Sequence, residues 1–376
     1  MKDNKQIYLD NAATTKVDDE VAALFMQSTK DNFANPNSIH KLGVLNAKRI
    51  DNARENILKS FKLNKHKVIF VSSSTEANNI AIKGYCLNYM NRGKHIITTN
   101  IEHPSVLECF KQLKERFGFD VTVLNVDRNG VVSAEQVKQA MRPETILVSI
   151  MAINNEIGSI NPVDEIADVV HLFPKANFHV DTTQAIGKIN LNYSKIDMFV
   201  VSGHKIHGLK NSGALIFKST LSFIPLLSGG GQEYGFRSST VSPAHAESIA
   251  LAIKLALNED VNYINDLRNK LIDGLSRIYG IELNSNADCS PYIVNFSLLN
   301  KKASVVVEDL SNKGIYVSSV SACNSKKEAS SYVVKALGKS DVLSHNTVRV
   351  SFSKDNTIQD VDVFLDELKQ TLEAIR

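Results

Sequence analysis

The sequence predicts an α/β protein with two parts: a large domain around a mostly parallel central sheet, then a smaller α+β domain. Three observations carry this. Short β-rich runs alternate with amphipathic helical stretches through the first two thirds of the chain. Those runs are almost continuously apolar, as expected of strands covered on both faces. Beyond about residue 281 the order changes to strands and helices in mixed succession. A chain of 376 residues is long enough for such a pair.

In order, "KVIFV" (67–71) reads as a strand leading into a helix near Thr75, and "KHIITT" (94–99) as a strand before a helix opening at Pro104. Proline suits a first helical turn because its missing N–H has no partner to lose there. "VTVLNV" (121–126), "TILVSIMAI" (145–153), "NFHVD" (177–181), "IDMFVVS" (196–202) and "SGALIF" (212–217) continue the strands. Residues 243–280 form one long helical stretch, with Ile249, Ala252, Ile253, Ala256, Leu267, Leu271, Ile272 and Leu275 at helical spacing. It links the large domain to the smaller one. There the order is strand (Tyr292–Ser297), helix (303–313), strand, loop, helix (331–337), strand (347–352) and helix (358–375). The expected division is 13–255 for the large domain, with 1–12 and 256–376 forming the small one.

Composition narrows the function classes. The chain is 43% hydrophobic and 22% charged, ordinary for a soluble globular protein. A formal net charge of +3 offers no electrostatic case for direct nucleic-acid binding. No apolar run approaches the ~20 residues of a membrane span, and "MKDNKQIYLD" lacks the apolar core of a signal peptide. Cys86, Cys109, Cys289 and Cys323 are scattered, with no CxxC pair or zinc spacing, so no metal is expected. Such sparse usage fits a reducing, cytoplasmic setting.

In an open α/β sheet, ligands gather at the carboxyl ends of the strands. Those ends carry Ser72–Glu76, then Glu102-His103-Pro104, Asn154-Asn155-Glu156, Asp181 with Gln184, and finally Ser202, His204 and Lys205. Ser74 and Thr75 at a helix start serve equally as caps or as a phosphate cradle. A strand-end Asp181 is often a cap, and a lysine in a turn is often a surface residue. Taken together, they supply an anion cradle, an imidazole, a carboxylate and an amine at one sheet edge. Pyridoxal 5′-phosphate uses that whole set: a lysine for a Schiff base, an acid opposite the pyridinium nitrogen, and a phosphate cup. Lys205 is the candidate lysine.

The chain resembles cysteine desulfurases of the NifS/IscS type, in the class V aminotransferase family of fold-type I pyridoxal-phosphate enzymes. The motifs run nearly end to end: "YLDNAATT" (8–15), "ANPNSIH" (34–40), "STEANNIAIKG" (74–84), "TNIEHPSV" (99–106), "ILVSIMAINNEIG" (146–158), "HVDTTQAIGK" (179–188), "SGHKIHG" (202–208), "GGGQEYGFRSST" (229–240), "SACNS" (321–325) and "VRVSF" (348–352). By that resemblance Lys205 holds the cofactor, His103 stacks on its ring and handles protons, and Asp181 pairs with the ring nitrogen. Asn155 and Gln184 lie near the 3′-oxygen, while Ser74, Thr75, Ser202 and His204 hold the phosphate. Thr240 is similar to a residue that reaches the partner subunit's phosphate, implying a homodimer. Arg349, with Asn35 and Asn155, would bind the substrate.

Cys323 selects the branch of the family. The resemblance implies that it takes sulfur from L-cysteine as a persulfide, leaving L-alanine, and passes it to an acceptor protein: an iron–sulfur scaffold or a tRNA-thiolation enzyme. A plain class V aminotransferase would not need it; a selenocysteine lyase would use the same residues. A degenerate paralogue acting as an assembly partner would not need Lys205, His103, Asp181 and Cys323 together. The chain departs from the family pattern at Leu209, Tyr234, Ser239, Val320 and Ser353, none of which carries a reacting group.

Overall fold

The computed structural model describes residues 6–319 and 330–375. Its strands are β1 (Ile7–Tyr8), β2 (His66–Val71), β3 (His95–Thr99), β4 (Asp120–Leu124), β5 (Thr145–Ser149), β6 (Asn177–Asp181), β7 (Met198–Ser202), β8 (Gly213–Lys218), β9 (Ile281–Leu283), β10 (Ile293–Leu298), β11 (Ile315–Tyr316), β12 (Ser318–Ser319) and β13 (Thr347–Ser351). Seven make the large sheet, in the order β2-β8-β7-β6-β5-β3-β4. Only β8 runs against its neighbours; the other pairings in this sheet between β7 and β4 are parallel. The mostly parallel α/β architecture is therefore present.

The apolar runs are explained by what each face meets. In β2, Val68 and Phe70 enter one buried cluster while Ile69 and Val71 enter another on the opposite face. Phe199 and Val201 of β7 likewise face away from Met198 and Val200. With helices on both sides, successive side chains are all apolar although they alternate in direction.

The second sheet has the order β12-β13-β10-β9 and is antiparallel throughout. The N-terminal strand joins this part of the molecule: Ile7 and Tyr8 pair in parallel with Ile315 and Tyr316, and Asp10 bridges to Ser351.

Three expectations need correction. The 243–280 stretch is two helices, Pro243–Leu257 and Asn262–Leu275. The break falls at Asn258, Glu259 and Asp260, where the apolar spacing lapses and Asn258 takes the C-cap. The strand read over 145–153 ends at Ser149, and Ile153 turns back to bridge Ile160. Residues 331–337 contribute a shorter helix, Tyr332–Ala336, followed by another at Asp341–His345. The sequence reading also passed over helices Asp19–Asp31 and Lys41–Ser60. Lys41–Ser60 buries small and polar positions such as Gly43, Asn46 and Ala53 beside Ile50 and Ile57, which blurs its apolar stripe.

Candidate active site

Because β2, β3, β5, β6 and β7 run in one direction, their carboxyl ends share one edge of the large sheet. Lys205 lies one turn beyond β7, in a single 3₁₀ turn, Gly203–Lys205. Its Nζ donates to Ala12 O at 2.7 Å and Ala13 O at 2.6 Å. The "DNAATT" segment thus supplies main-chain acceptors to the amine from the far end of the sequence. Gln184 Nε2 donates to the same Ala12 oxygen at 3.0 Å, and its Oε1 accepts from Lys188 Nζ at 2.9 Å. Lys188 is half-buried, and desolvation, with Lys205 and Arg349 nearby, brings its amine down to about 7.

Asp181 ends β6 and is buried. Its Oδ1 accepts from Thr183 N at 2.9 Å and its Oδ2 from Asn78 Nδ2 at 2.8 Å. His103 caps the helix Pro104–Phe117, where its Nδ1 accepts from Ser105 N at 3.1 Å and lies 2.8 Å from Ser105 Oγ. One side of His103 is exposed at a cleft of about 520 Å³ whose walls include Thr75, Asn79 and Ser105. The surrounding walls screen the rest of the ring, so its pKa is lowered by desolvation, opposed by Asp181 and assisted by Lys205.

Ser74 opens a helix that runs from Ser74–Asn79 through a π turn at Ile80–Gly84 into Tyr85–Tyr89. Ser73, not Ser74, is its N-cap, with Oγ accepting from Glu76 N at 3.2 Å. Ser74 and Thr75 therefore stand in the first turn, where amides project from the positive end of the helix. Across from it, Ser202 Oγ is buried with no hydrogen-bond partner among the described residues. His204 lies beside Thr14, Nδ1 to Oγ1 3.2 Å, and burial next to Lys205 and Lys210 lowers its pKa to about 4.

Arg349, on β13 of the second sheet, reaches the same region. It donates to Asn155 O at 2.9 Å and Asp10 Oδ1 at 2.8 Å, while its Nε is buried and unpartnered among the described residues. Asn35 and Thr240 are exposed, and Asn35 Oδ1 accepts from Asn37 N at 2.9 Å. The fold thus brings together Lys205, Asp181, His103, Gln184, Ser202, His204, Asn155 and Arg349 without other chains. Cys323 and Val320 lie outside the described residues.

Residues that the sequence reading missed are Asn78, Ser105, Lys188, Asp10 and the Ala12 and Ala13 carbonyls. All of them stood inside motifs already singled out, but nothing in the spacing tells that Asn78 turns toward Asp181 or Lys188 toward Gln184. Glu102 was noted only as His103's neighbour. It is fully buried, bonded through Oε1 to Thr99 Oγ1 (2.8 Å) and Met151 N (2.9 Å), and burial raises its pKa to about 8.

Among the departures, Tyr234 adopts φ 58°, ψ 23°, a left-handed conformation unusual for a bulky residue. Arg54 and Lys67 lie over its ring at 5.1 and 5.0 Å, and Arg54 also pairs with buried Glu233 at 2.8 Å. Ser353 is buried, its N–H donating to Asn356 Oδ1 at 2.8 Å. Leu209 packs against the main core, and Ser239 is exposed.

The donor set fits pyridoxal phosphate. The half-buried amine, the buried carboxylate and the orphaned Ser202 hydroxyl beside a helix N-terminus would suit its aldehyde, its pyridinium nitrogen and its phosphate.

The model of the family "Aminotransferase class-V" matches residues 7–364. The chain is 38% identical over 384 residues to "Cysteine desulfurase IscS" of Clostridium botulinum, covering 99% of this chain and 96% of that one. It is also 38% identical over 381 residues to "Cysteine desulfurase, mitochondrial" of Eremothecium gossypii, covering 99% of this chain and 77% of the relative. Among solved structures, a "NIFS-like protein" superposes with TM-score 0.91 at 34% identity, covering 98% of this chain and 100% of the other. "SspA in complex with cysteine" superposes with TM-score 0.80 at 30% identity, covering 92% and 98%.

Proposed function

We propose that this chain, which belongs to the aminotransferase class-V family, works as a pyridoxal-phosphate-dependent cysteine desulfurase that converts L-cysteine to L-alanine and carries the sulfur away on Cys323. The observation that carries the reading is the meeting of Lys205, Asp181 and His103 at one sheet edge with Arg349 above them. Identity of 38% over nearly the full chain to proteins named cysteine desulfurase supports it.

When bound, pyridoxal phosphate supplies an electron sink for the substrate α-carbon. Lys205 would hold it covalently, Asp181 would keep its ring nitrogen protonated, and Ser74, Thr75, Ser202 and His204 would hold its phosphate, with Asn155 and Gln184 by the 3′-oxygen. Thr240 is assigned to the partner subunit's phosphate. Arg349, with Asn35 and Asn155, orients the substrate: its planar fork matches a carboxylate, and Asp10 and the Asn155 carbonyl fix its plane. Lys205 and His103 would exchange protons with the substrate, at Nζ and Nε2 respectively.

The balance of the reaction needs a thiol to take the sulfur, and Cys323 is the thiol we assign to it. The substrate C–S bond breaks, an S–S bond to the Cys323 sulfur forms, and protons delivered to the carbon skeleton complete alanine. The alternative thiols are poorly suited. Cys86, Cys109 and Cys289 are buried, and burial raises all three pKa values. A thiol attacks as thiolate and needs access.

The remaining parts of the reading are a division into 13–255 and 1–12 with 256–376, a homodimer, cytoplasmic location, and transfer to an iron–sulfur scaffold or tRNA-thiolation enzyme. Pairing of β1 with β11 supports the division. Exposed Phe33, Leu42 and Leu45 line one surface hollow with Ala34, an apolar surface that supports a subunit interface. Among the described residues, no helix is long and apolar enough to cross a membrane.

The test is stoichiometric. Purified protein loaded with pyridoxal phosphate should yield alanine and, with a reductant, sulfide in equal amounts from L-cysteine. Amino transfer to a keto acid without sulfide would replace this reading with that of a plain aminotransferase.

A further inference from the structure

Between Asp181 and His103 runs an unbroken hydrogen-bond chain through two residues that the mechanism above does not use. Asn78 Nδ2 donates to Asp181 Oδ2 at 2.8 Å and to Ser105 Oγ at 2.9 Å. Ser105 Oγ lies 2.8 Å from His103 Nδ1, which also accepts from Ser105 N at 3.1 Å. Asn78 is fully buried and Ser105 nearly so.

The two ends fix every proton direction. An ionised carboxylate only accepts, so the Asn78 amide must turn its nitrogen toward Asp181; both amide hydrogens are then spent, one of them on Ser105 Oγ. A backbone N–H only donates, so His103 Nδ1 carries no proton. The hydroxyl of Ser105, accepting from Asn78, must therefore give its own hydrogen to Nδ1. The neutral imidazole is left with its proton on Nε2. Protonation at Nδ1 would set that hydrogen against the Ser105 N–H.

We propose that Asn78 and Ser105 are positioning residues for the reaction: they join Asp181 to His103 and hold the imidazole neutral, with its proton on Nε2 as the only one available for exchange. The proposal rests on the desulfurase reading for its use in catalysis, but its geometry stands apart from it. Other charged groups near the ring are Asp181 and Lys205, with Lys83 and Glu108 on the cleft wall. Glu102 precedes the ring in sequence, but its Oε1 is bound to Thr99 and Met151. The lowered pKa of His103 agrees with this setting.

The test uses the full chain labelled with ¹⁵N-histidine, before and after loading with pyridoxal phosphate, with His103→Gln identifying the signals. Wild type should show an unprotonated Nδ1 and a protonated Nε2 at neutral pH. Ser105→Ala removes one of two donors that favour the neutral ring, so His103 should bind its second proton roughly three- to tenfold more tightly. Asn78→Ala should shift the same way. Because the two act in series, the double variant should shift no more than the larger single variant. A protonated Nδ1 in wild type, an unmoved midpoint in Ser105→Ala, or additive shifts would overturn the proposal. If Asn78→Ala does not fold, Ser105→Ala alone decides. Sulfide release is assayed separately, so failure of the desulfurase reading leaves these signals interpretable.

Discussion

Arg349 on β13 and Asp10 beyond β1 are joined at 2.8 Å, tying the proposed substrate anchor to the segment that also supplies acceptors to Lys205. The guanidinium plane is set before substrate arrives, and a buried Nε remains to be satisfied. Arg349→Lys keeps the charge but loses the fork. It should raise KM for cysteine by roughly 10- to 100-fold, the range of a charge-assisted hydrogen bond. The visible absorbance of the bound cofactor should be unchanged. Steady-state kinetics beside an absorbance spectrum check this; an unmoved KM would remove Arg349 from the substrate site.

Lys205→Ala should lose the visible absorbance of lysine-linked cofactor and all turnover while remaining folded. The substitution removes the amine that donates to Ala12 O and Ala13 O, and Lys188, another amine nearby, is turned to Gln184 Oε1. Circular dichroism and a visible spectrum give the answer, and full activity in this variant would refute the cofactor assignment.

Among the four thiols, iodoacetamide should label Cys323 first. Cys86 is fully buried with its pKa held well above the ordinary value by desolvation, and Cys109 is raised to about 11. Cys323→Ser should retain cofactor absorbance yet lose persulfide and alanine, since a hydroxyl is a far weaker nucleophile toward sulfur. Peptide mapping by mass spectrometry settles the labelling order, and sulfide release undiminished by the serine would point to the aminotransferase or lyase chemistry.

Glu102 makes stability fall as pH rises. Burial raises its folded pKa to about 8, above the ordinary glutamate value of 4.5. Between those values the unfolded chain has given up the proton that the folded chain retains, so each step upward in pH favours unfolding. Glu102→Gln still accepts from Thr99 and Met151 through its amide oxygen and has no proton to lose. Urea midpoints at about pH 5 and about pH 8 should show the variant gaining on wild type at the higher pH. A gap independent of pH would mean that Glu102 ionises normally in the folded protein.

Local sequence determined the strands of the large sheet, though not where β5 ends, because an apolar run of five or six residues bounded by polar ones has one good use in a two-faced sheet. It also pointed to the candidate reactive residues: Lys205, Asp181 and His103 each stand just past or at a strand end, where side chains leave the core. Helix boundaries were less legible. The break at Asn258–Asp260 and the helix Lys41–Ser60 depend on what packs against them, since small and polar residues acquire a buried face only from a partner. Tertiary structure alone decided that Ala12 and Ala13 turn their carbonyls to Lys205, that Asp10 grips Arg349, and that Asn78 bridges Asp181 to Ser105. These contacts span from 27 to 339 positions of sequence. No local pattern encodes them, because hydrogen-bond direction is set by where the sheet edge places each donor, and strand order fixes that edge only when the whole chain has packed.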